Sequence, residues 1–344
     1  MQQKNELTGK PALMKELNMG LITDALEQYQ KMTRVELAAV TQISQPTVNM
    51  LIRQMLEDKT VISLGEAKST GGRKAEVFAL NHKRSEIASF IVRESCFEYI
   101  VTDLELNEEA SGRVEREEDQ SFLDQLCQII RNIREEHRHI DAVTVGVPGA
   151  VSEEGNVFAI PMIPEWEGIN LKQALEREFS LRVMVINDIN AIAVGYSYCC
   201  QDGTKNLVYL HAGSTGIGAG IMIDGKLYPG CKSFAGEVGY MQLGEDLVRA
   251  ERKMGDSGRD IHRIVLLEKM VANIICVLNP EKIVIGGGDI STELFAHIRE
   301  GGLKYLPEDI LPDFVIIEGS GTDYYFKGLG KSGKELLDQN IRLA

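Results

Sequence analysis

The sequence predicts an α/β protein in two parts: a small helical head closed by a β-hairpin, and a larger body of two α/β lobes with a cleft between them. Three observations predict it. Near the N-terminus two short amphipathic helices with clear caps flank a three-residue turn and run into two strand-like stretches around a glycine-rich loop. Further on, a pattern of strand hairpin, helix and strand occurs twice. Charge divides along the same line: residues 1–85 hold 12 Lys plus Arg against 9 Asp plus Glu, while the whole chain carries −14. A mildly basic head of roughly +3 is thus fused to an acidic body.

At 344 residues the chain is too long for one ordinary domain and has the apolar content to bury more than one core. Its longest apolar runs, such as "IVLLEKMVANIICVL", are broken by Glu268, Lys269 and Asn273, and "MQQKNELTGK" has no apolar signal region. A soluble, cytoplasmic protein with no membrane partner is expected. The cysteines at 96, 127, 199, 200, 231 and 276 form no CxxC and have no histidine at ligand spacing, so they read as structural thiols.

In the head, "LITDALEQYQ" spaces Leu21, Ile22, Ala25, Leu26 and Tyr29 along one helical face. Thr33 with Glu36 three residues on is a capping box, and Ser44 is a second N-cap, followed by Pro46 in the first turn. Val35, Leu37, Ala38 and Val40 form one short apolar face, "TQI" turns the chain, and Val48, Leu51, Ile52 and Leu56 continue the core. This is helix-turn-helix spacing. The outward side of the second helix then offers Gln45, Thr47, Asn49, Met50 and Arg53, side chains suited to base edges and phosphates. "VISLGEAKSTGGRKAEVFALN" completes a winged helix-turn-helix, with Lys68, Gly71, Gly72, Arg73 and Lys74 at the wing tip, where an arginine beside glycines can enter a minor groove. Each piece alone also fits a solvated helical hairpin or loop; in sequence they favour DNA.

In the body, "EIASFIVRESCFEYIVTDLEL" reads as strand, tight turn and strand, and "SFLDQLCQIIRNIREEH" as an amphipathic helix with Phe122, Leu123, Leu126, Ile129, Ile130 and Ile133 inward. "DAVTVGVPGAV" is a buried strand ending in a turn, "GINLKQALEREF" a helix, and "RVMVINDINAIAVGY" a strand running into a helix. Paired strands surround the glycines of "LHAGSTGIGAGIMIDG". The helix "RIVLLEKMVANIICVLNP", the strand "KIVIGGG" and a C-terminal helical region follow. The glycine stretch fits neither the Walker pattern nor the dinucleotide fingerprint.

"GVPGAV", "VINDINAIA", "GIGAGIMIDGKLYPG", "FAGEVGYM" and "NPEKIVIGGG", in that order behind a winged helix, resemble the ROK family of repressors, open reading frames and sugar kinases. The resemblance implies an actin-like, two-lobed sugar-kinase fold over residues 83–344, with residues 1–82 as the DNA-binding domain. It makes Asp188 the counterpart of the kinase's general base, here vestigial. Asn187 and Glu237 become sugar ligands, Gly146 and Gly149 a backbone wall of the pocket, and Tyr240 stands at the histidine position beside it. From the residues alone, Asp188 equally fits an N-cap for a helix beginning near Asn190.

The resemblance also shows what is missing. A kinase of this fold needs two phosphate hairpins, the first with an aspartate for Mg²⁺ and adjacent glycines. Here Ile91 replaces the aspartate, Arg93 and Glu94 the glycines, and Ser95 the threonine. Ser214, Thr215 and Gly216 form the tip of the second hairpin, a vestigial phosphate loop in which Gly216, Gly218 and Gly220 read as a tight turn and close strand packing. The family's histidine and three zinc-binding cysteines are also absent: Tyr240 takes the histidine position, and "QLGEDLVRAERKMGDSGRDIHRI" contains no cysteine. No metal and no cofactor are expected. His262 reads as a surface or core residue, and Glu245 and Glu251 as a solvated helix face rather than substitutes for the sugar-binding glutamate that ends the family's cysteine segment, also absent here.

The expectation is a transcriptional regulator, a repressor of carbohydrate uptake or metabolism genes, that binds operator DNA as a homodimer or dimer of dimers and senses a sugar or sugar phosphate. An active sugar kinase with a DNA-binding head, and a regulator controlled by a protein partner, are the alternatives.

Overall fold

The computed structural model describes residues 11–66, 75–200, 202–213, 216–243, 256–287 and 292–338. In the head, helices α1 (Pro11–Tyr29), α2 (Arg34–Thr41) and α3 (Gln45–Glu57) pack on a three-stranded sheet of β1 (Met32–Thr33), β2 (Val61–Glu66) and β3 (Glu76–Leu80) in the order β1-β3-β2. The sequence predicts only the last two strands. β1 is two residues long, and its pairing of Met32 with Phe78 is a long-range contact with no local signature. The core is Ile22, Ala25, Leu26, Met32, Leu37, Ile43, Val48, Leu51, Ile52, Met55, Val61, Phe78 and Leu80.

The predicted apolar faces need trimming. Leu21 and Tyr29 are exposed, and of the four apolar residues assigned to the α2 face only Leu37 is buried, with Val35 66 % exposed. A helix of eight residues turns only one stripe inward, and neighbouring apolar positions fall off it. The capping box is formed: the Thr33 amide donates to the Glu36 carboxylate at 2.7 Å and the Glu36 amide to Thr33 Oγ1 at 3.3 Å. Thr33→Ala is therefore expected to lower stability by about 1 kcal/mol, read from chemical denaturation of the full chain.

The body has two five-stranded sheets built on one plan. In the first, β10 (Arg182–Asn187), β7 (Ile140–Val147) and β4 (Glu86–Val92) run parallel, and β5 (Cys96–Thr102) and β6 (Glu108–Glu115) extend the sheet antiparallel. In the second, β15 (Asp313–Ile316), β14 (Lys282–Gly286) and β11 (Leu207–Gly213) are parallel, and β12 (Gly216–Ile223) and β13 (Lys226–Leu227) extend it antiparallel. A small hairpin of β8 (Ala150–Val151) and β9 (Val157–Phe158) follows "GVPG". The predicted C-terminal helical region contains the extra strand β15, whose pairing partner lies some thirty residues away.

Helices α4 (Phe122–Glu136) and α5 (Leu171–Phe179) supply the core on one face of the first sheet, around Phe97, Ile130 and Trp166. Helices α7 (Asp256–Leu278) and α8 (Thr292–Tyr305) do so for the second. Between the lobes lie α6 (Asp188–Cys199) and α9 (Thr322–Asp338), in a core shared by Ile91 and Ile186 of the first lobe with Tyr209, Met222 and Val284 of the second. The two helices cross at Gly195 and Gly328. A Cβ on Gly328 would overlap the Ala191 carbonyl and come within 2.9 Å of the Gly195 nitrogen, so only glycine permits this approach.

Candidate nucleic-acid interface and effector cleft

In the head, Gln42 turns the chain in the left-handed region and Ser44 enters α3 in extended conformation, with Pro46 in the first turn. Ser44 holds the N-cap position without a cap hydrogen bond; its hydroxyl pairs instead with Thr47 Oγ1 at 2.8 Å. With Val48, Leu51, Ile52 and Met55 buried, the helical period turns Asn49, Met50 and Arg53 to solvent, with Gln45 and Thr47 half-buried beside them. Lys68, Gly71, Gly72, Arg73 and Lys74 at the wing tip lie outside the described residues.

In the body, the parallel register of β10 on β7 places Asn187 opposite Val147, so "VIND" leaves the sheet beside "GVPG". Asn187 is the N-cap of α6: its Oδ1 accepts from the Asn190 amide at 3.1 Å, and its Nδ2 donates to the Gly149 carbonyl and to Asp188 Oδ1, both at 3.0 Å. This corrects the capping alternative for Asp188, which is instead the first residue inside the helix. The Ile189 amide donates to its carboxylate at 2.8 Å. Burial is the main influence on that carboxyl, pushing its pKa up to about 6 against the pull of the Ile189 amide and the Arg93 charge.

Because the folded pKa lies above the ordinary carboxylate value, the folded state binds this proton more tightly than the unfolded chain. The resulting stability is present below about pH 4 and is lost as pH rises through about 6. Asp188→Asn is expected to raise stability at pH 7 by roughly 2–3 kcal/mol and to flatten the thermal midpoint between pH 4 and 6. Thermal melts of both proteins across that range check this.

The first phosphate hairpin is built for other purposes. Ile91 is buried in the core between the lobes. Arg93 makes a forked ion pair with Glu98 at 3.0 and 3.2 Å and donates to Thr322 Oγ1 of α9 at 3.3 Å. Tyr325 of α9 is buried over Gly146, where a Cβ would overlap its ring, and its hydroxyl has no hydrogen-bond partner among the described residues. Burial, together with the nearby Asp188 charge, holds that phenol well above its usual range.

In the second hairpin, Ser214 and Thr215 lie outside the described residues, and Gly216 has a positive φ of 155°. Gly218 and Gly220 have a packing role: a Cβ at Gly218 would meet Ile189 Cδ1 at 2.5 Å, and one at Gly220 the Ile189 carbonyl oxygen at 2.9 Å. The glycine strand is where α6 lies directly on the sheet.

Two cavities open nearby. One of about 570 Å³ is lined by Asn187 and Asn190 together with Ser152, Lys172, Lys232 and Ser233. Apart from Asn187, these residues come from loops and helix starts with no shared sequence signal, and sequence reasoning missed them. The other, of about 240 Å³, is apolar, with Val208, Ile221, Met241, Ile274 and Leu278 around Glu237, whose carboxyl is pushed up by burial. Tyr240 is 68 % exposed and packs on Phe234 with ring centroids 5.4 Å apart. The structure therefore gathers Gly149, Asn187 and Asp188, sets Gly146 beneath Tyr325, lines the apolar cavity with Glu237 and leaves Tyr240 exposed against Phe234. His262 lies on α7, and Glu245 and Glu251 fall outside the described residues. Among the described residues no group of three His, Cys, Asp or Glu side chains is placed to hold a metal ion, and no helix is long and apolar enough to cross a membrane.

A family model described as ROK family matches residues 94–261. The xylose repressor of Caldicellulosiruptor bescii is 27 % identical over 247 residues, 68 % of this chain and 61 % of that protein. Uncharacterized protein CPE0188 of Clostridium perfringens is 32 % identical over 227 residues, 55 % of this chain and 76 % of that protein. The chain thus spans about three fifths of the xylose repressor it matches. Among solved structures, a ROK family transcriptional regulator described as a homolog of the E. coli MLC protein superposes with a TM-score of 0.74 at 17 % identity, covering 96 % of this chain and 100 % of that one. That likeness establishes the fold, winged head and two-lobed body together, and with the sequence relatives it leads to one assignment: the chain belongs to the ROK family.

Proposed function

We propose that this chain is a DNA-binding transcriptional regulator, a repressor of carbohydrate genes, whose kinase-like body senses a ligand and does not transfer phosphate. The observation that carries it is the Asn49, Met50 and Arg53 surface, turned to solvent by a fully closed winged-helix core. Residues 1–82 form the DNA-binding domain and residues 83–344 the regulatory body. Ser44, Gln45, Thr47, Asn49, Met50 and Arg53 face the operator from α3, and Gly72, Arg73 and Lys74 approach it from the wing. One recognition helix reads one half-site, so the working form is a homodimer or a dimer of dimers in the cytoplasm.

Gly146, Gly149, Asn187, Asp188, Glu237 and Tyr240 are the residues proposed for a sugar or sugar-phosphate effector, which shifts the spacing of two heads by binding one arrangement better than the other. The cavity beside Asn187 and Asn190 supports a polar ligand there. Phosphoryl transfer is disfavoured because the position for a Mg²⁺ ligand is Ile91, an apolar core residue, and Arg93 is committed to Glu98.

Two assays on the full chain test this. Fluorescence anisotropy on DNA from its own regulatory region should give sequence-selective binding that weakens steeply with salt. Incubation with ATP, Mg²⁺ and a panel of sugars should give no phosphorylation, and turnover abolished by Asp188→Asn would favour the kinase reading. Thermal-shift screening then separates a sugar effector, which stabilises the chain, from control by a protein partner, for which no sugar does.

A further inference from the structure

The C-terminal end of α6 meets the first residue of β14 in a polar cluster far from the operator surface and from Asp188. Lys282, only 5 % exposed, places its Nζ 3.3 Å from Cys200 Sγ and pairs with the Asp202 carboxylate. The Cys200 thiol donates to Asp202 Oδ1 at 3.0 Å. Thr204 holds that same oxygen through its amide at 3.1 Å and its hydroxyl at 2.7 Å. A buried ammonium ordinarily collects oxygen acceptors, because each N–H left unpaired carries a desolvation cost. Here one partner is a carboxylate and the other a thiol.

The cluster has the features of a built contact. Cys96 and Cys127 are buried in the first lobe, whereas Cys200 is half-buried and reachable by a small oxidant. The sulfur and nitrogen are already in van der Waals contact, on backbone fixed at both sides. Cys200 is the C-cap of α6, its amide bonded to the Tyr196 carbonyl at 2.9 Å, and Lys282 is paired in register with Leu207 of β11. A bridging oxygen has only this 3.3 Å gap between nitrogen and sulfur to span.

We propose that Cys200 and Lys282 are the two ends of an oxidation-formed covalent clasp, a nitrogen–oxygen–sulfur bridge made with dioxygen as oxidant. The Lys282 ammonium first loses one proton to solvent, with the Asp202 carboxylate as the nearest acceptor. One N–H and the S–H bond then break while N–O and O–S bonds form. One oxygen atom of dioxygen stays in the bridge, and the other leaves as water with the two hydrogens. Nitrogen and sulfur each give up two electrons, and dioxygen takes all four. Thiols are oxidised selectively according to their surroundings, and oxidised sulfur captured by a neighbouring nitrogen is established chemistry. The clasp would tie the far end of the helix that begins at Asp188 to the central sheet of the second lobe.

The test uses the full chain, purified under reductant and then exposed to air-saturated buffer, with dithiothreitol-treated protein as the reference. After trypsin digestion, the peptides bearing Cys200 and Lys282 are expected to be joined, about 14 Da heavier than their sum, with cleavage after Lys282 lost. One of the six thiols should disappear from a thiol titration, and dithiothreitol should reverse all three changes. Cys199→Ser should keep the joined peptide and Cys200→Ser abolish it. The proposal is overturned if trypsin still cleaves after Lys282 while Cys200 carries a sulfenic-acid adduct, or if both residues stay unmodified.

Discussion

The double variant Asn49→Ala, Arg53→Ala should bind its operator at least 100-fold more weakly than the parent chain while melting at the same temperature. Both side chains stand on the exposed side of α3, and neither belongs to the buried head core, so their removal leaves no cavity. An asparagine placed against a base edge is worth about 1–3 kcal/mol of discrimination, and a two-fold site uses each contact twice. The two losses should differ in kind. Asn49→Ala alone should relax base preference, whereas Arg53→Ala should weaken all sequences and reduce the salt slope. Anisotropy titrations at several salt concentrations, on operator and scrambled DNA, separate the two. An unchanged affinity in the double variant would show that α3 does not read DNA.

Gly328→Val should be strongly destabilising. Its Cβ would overlap the Ala191 carbonyl, a backbone atom inside a helix that cannot swing aside as a side chain would. The α6–α9 pair must then separate, opening the core that both lobes share around Ile91, Tyr209 and Leu329. Overpacking of this sort costs about 3 kcal/mol or more, which for a domain of this size lowers the thermal midpoint by on the order of 5–10 °C. Gly20, whose Cβ would meet nothing within 4 Å, is the control: Gly20→Ala should be neutral or slightly stabilising in α1. Calorimetry of both variants measures the difference.

Much of this architecture was legible in the residues, and what was not has identifiable physical causes. Local signals located the capping box at Thr33 and Glu36, the core of α3, and the inward face of α4, because caps and helical periodicity act within a few residues. Pairing across long distances left no such trace: β1 exists only because Phe78 lies opposite Met32, and β15 only because β14 offers a free parallel edge. At "VIND" two adjacent residues can each cap a helix. The choice of Asn187 follows from where β10 ends against β7, a matter of register rather than composition.

The candidate cleft was half legible for the same reason. The sequence motifs pointed to Gly149, Asn187 and Asp188, which the fold gathers, to Glu237, which lines a separate apolar cavity, and to Tyr240, which stands exposed against Phe234. Lys172, Asn190 and Lys232 reach the polar cavity from three separate segments, and only tertiary structure brings them together. The glycines of β12 were conspicuous as a phosphate motif. In the structure Gly218 and Gly220 clear the path of α6 over the sheet, a packing requirement independent of phosphate binding.

The central claim is that the winged head, and not the kinase-like body, delivers this protein's activity. Selection of bound fragments from sheared genomic DNA by this chain at physiological salt, followed by sequencing, tests it most directly. A small set of enriched fragments is expected, sharing a two-fold sequence with half-sites about one helical turn apart. That enrichment should vanish in the Asn49→Ala, Arg53→Ala variant. Recovery of DNA without sequence enrichment, from a chain that turns over ATP in the presence of a sugar, would contradict it.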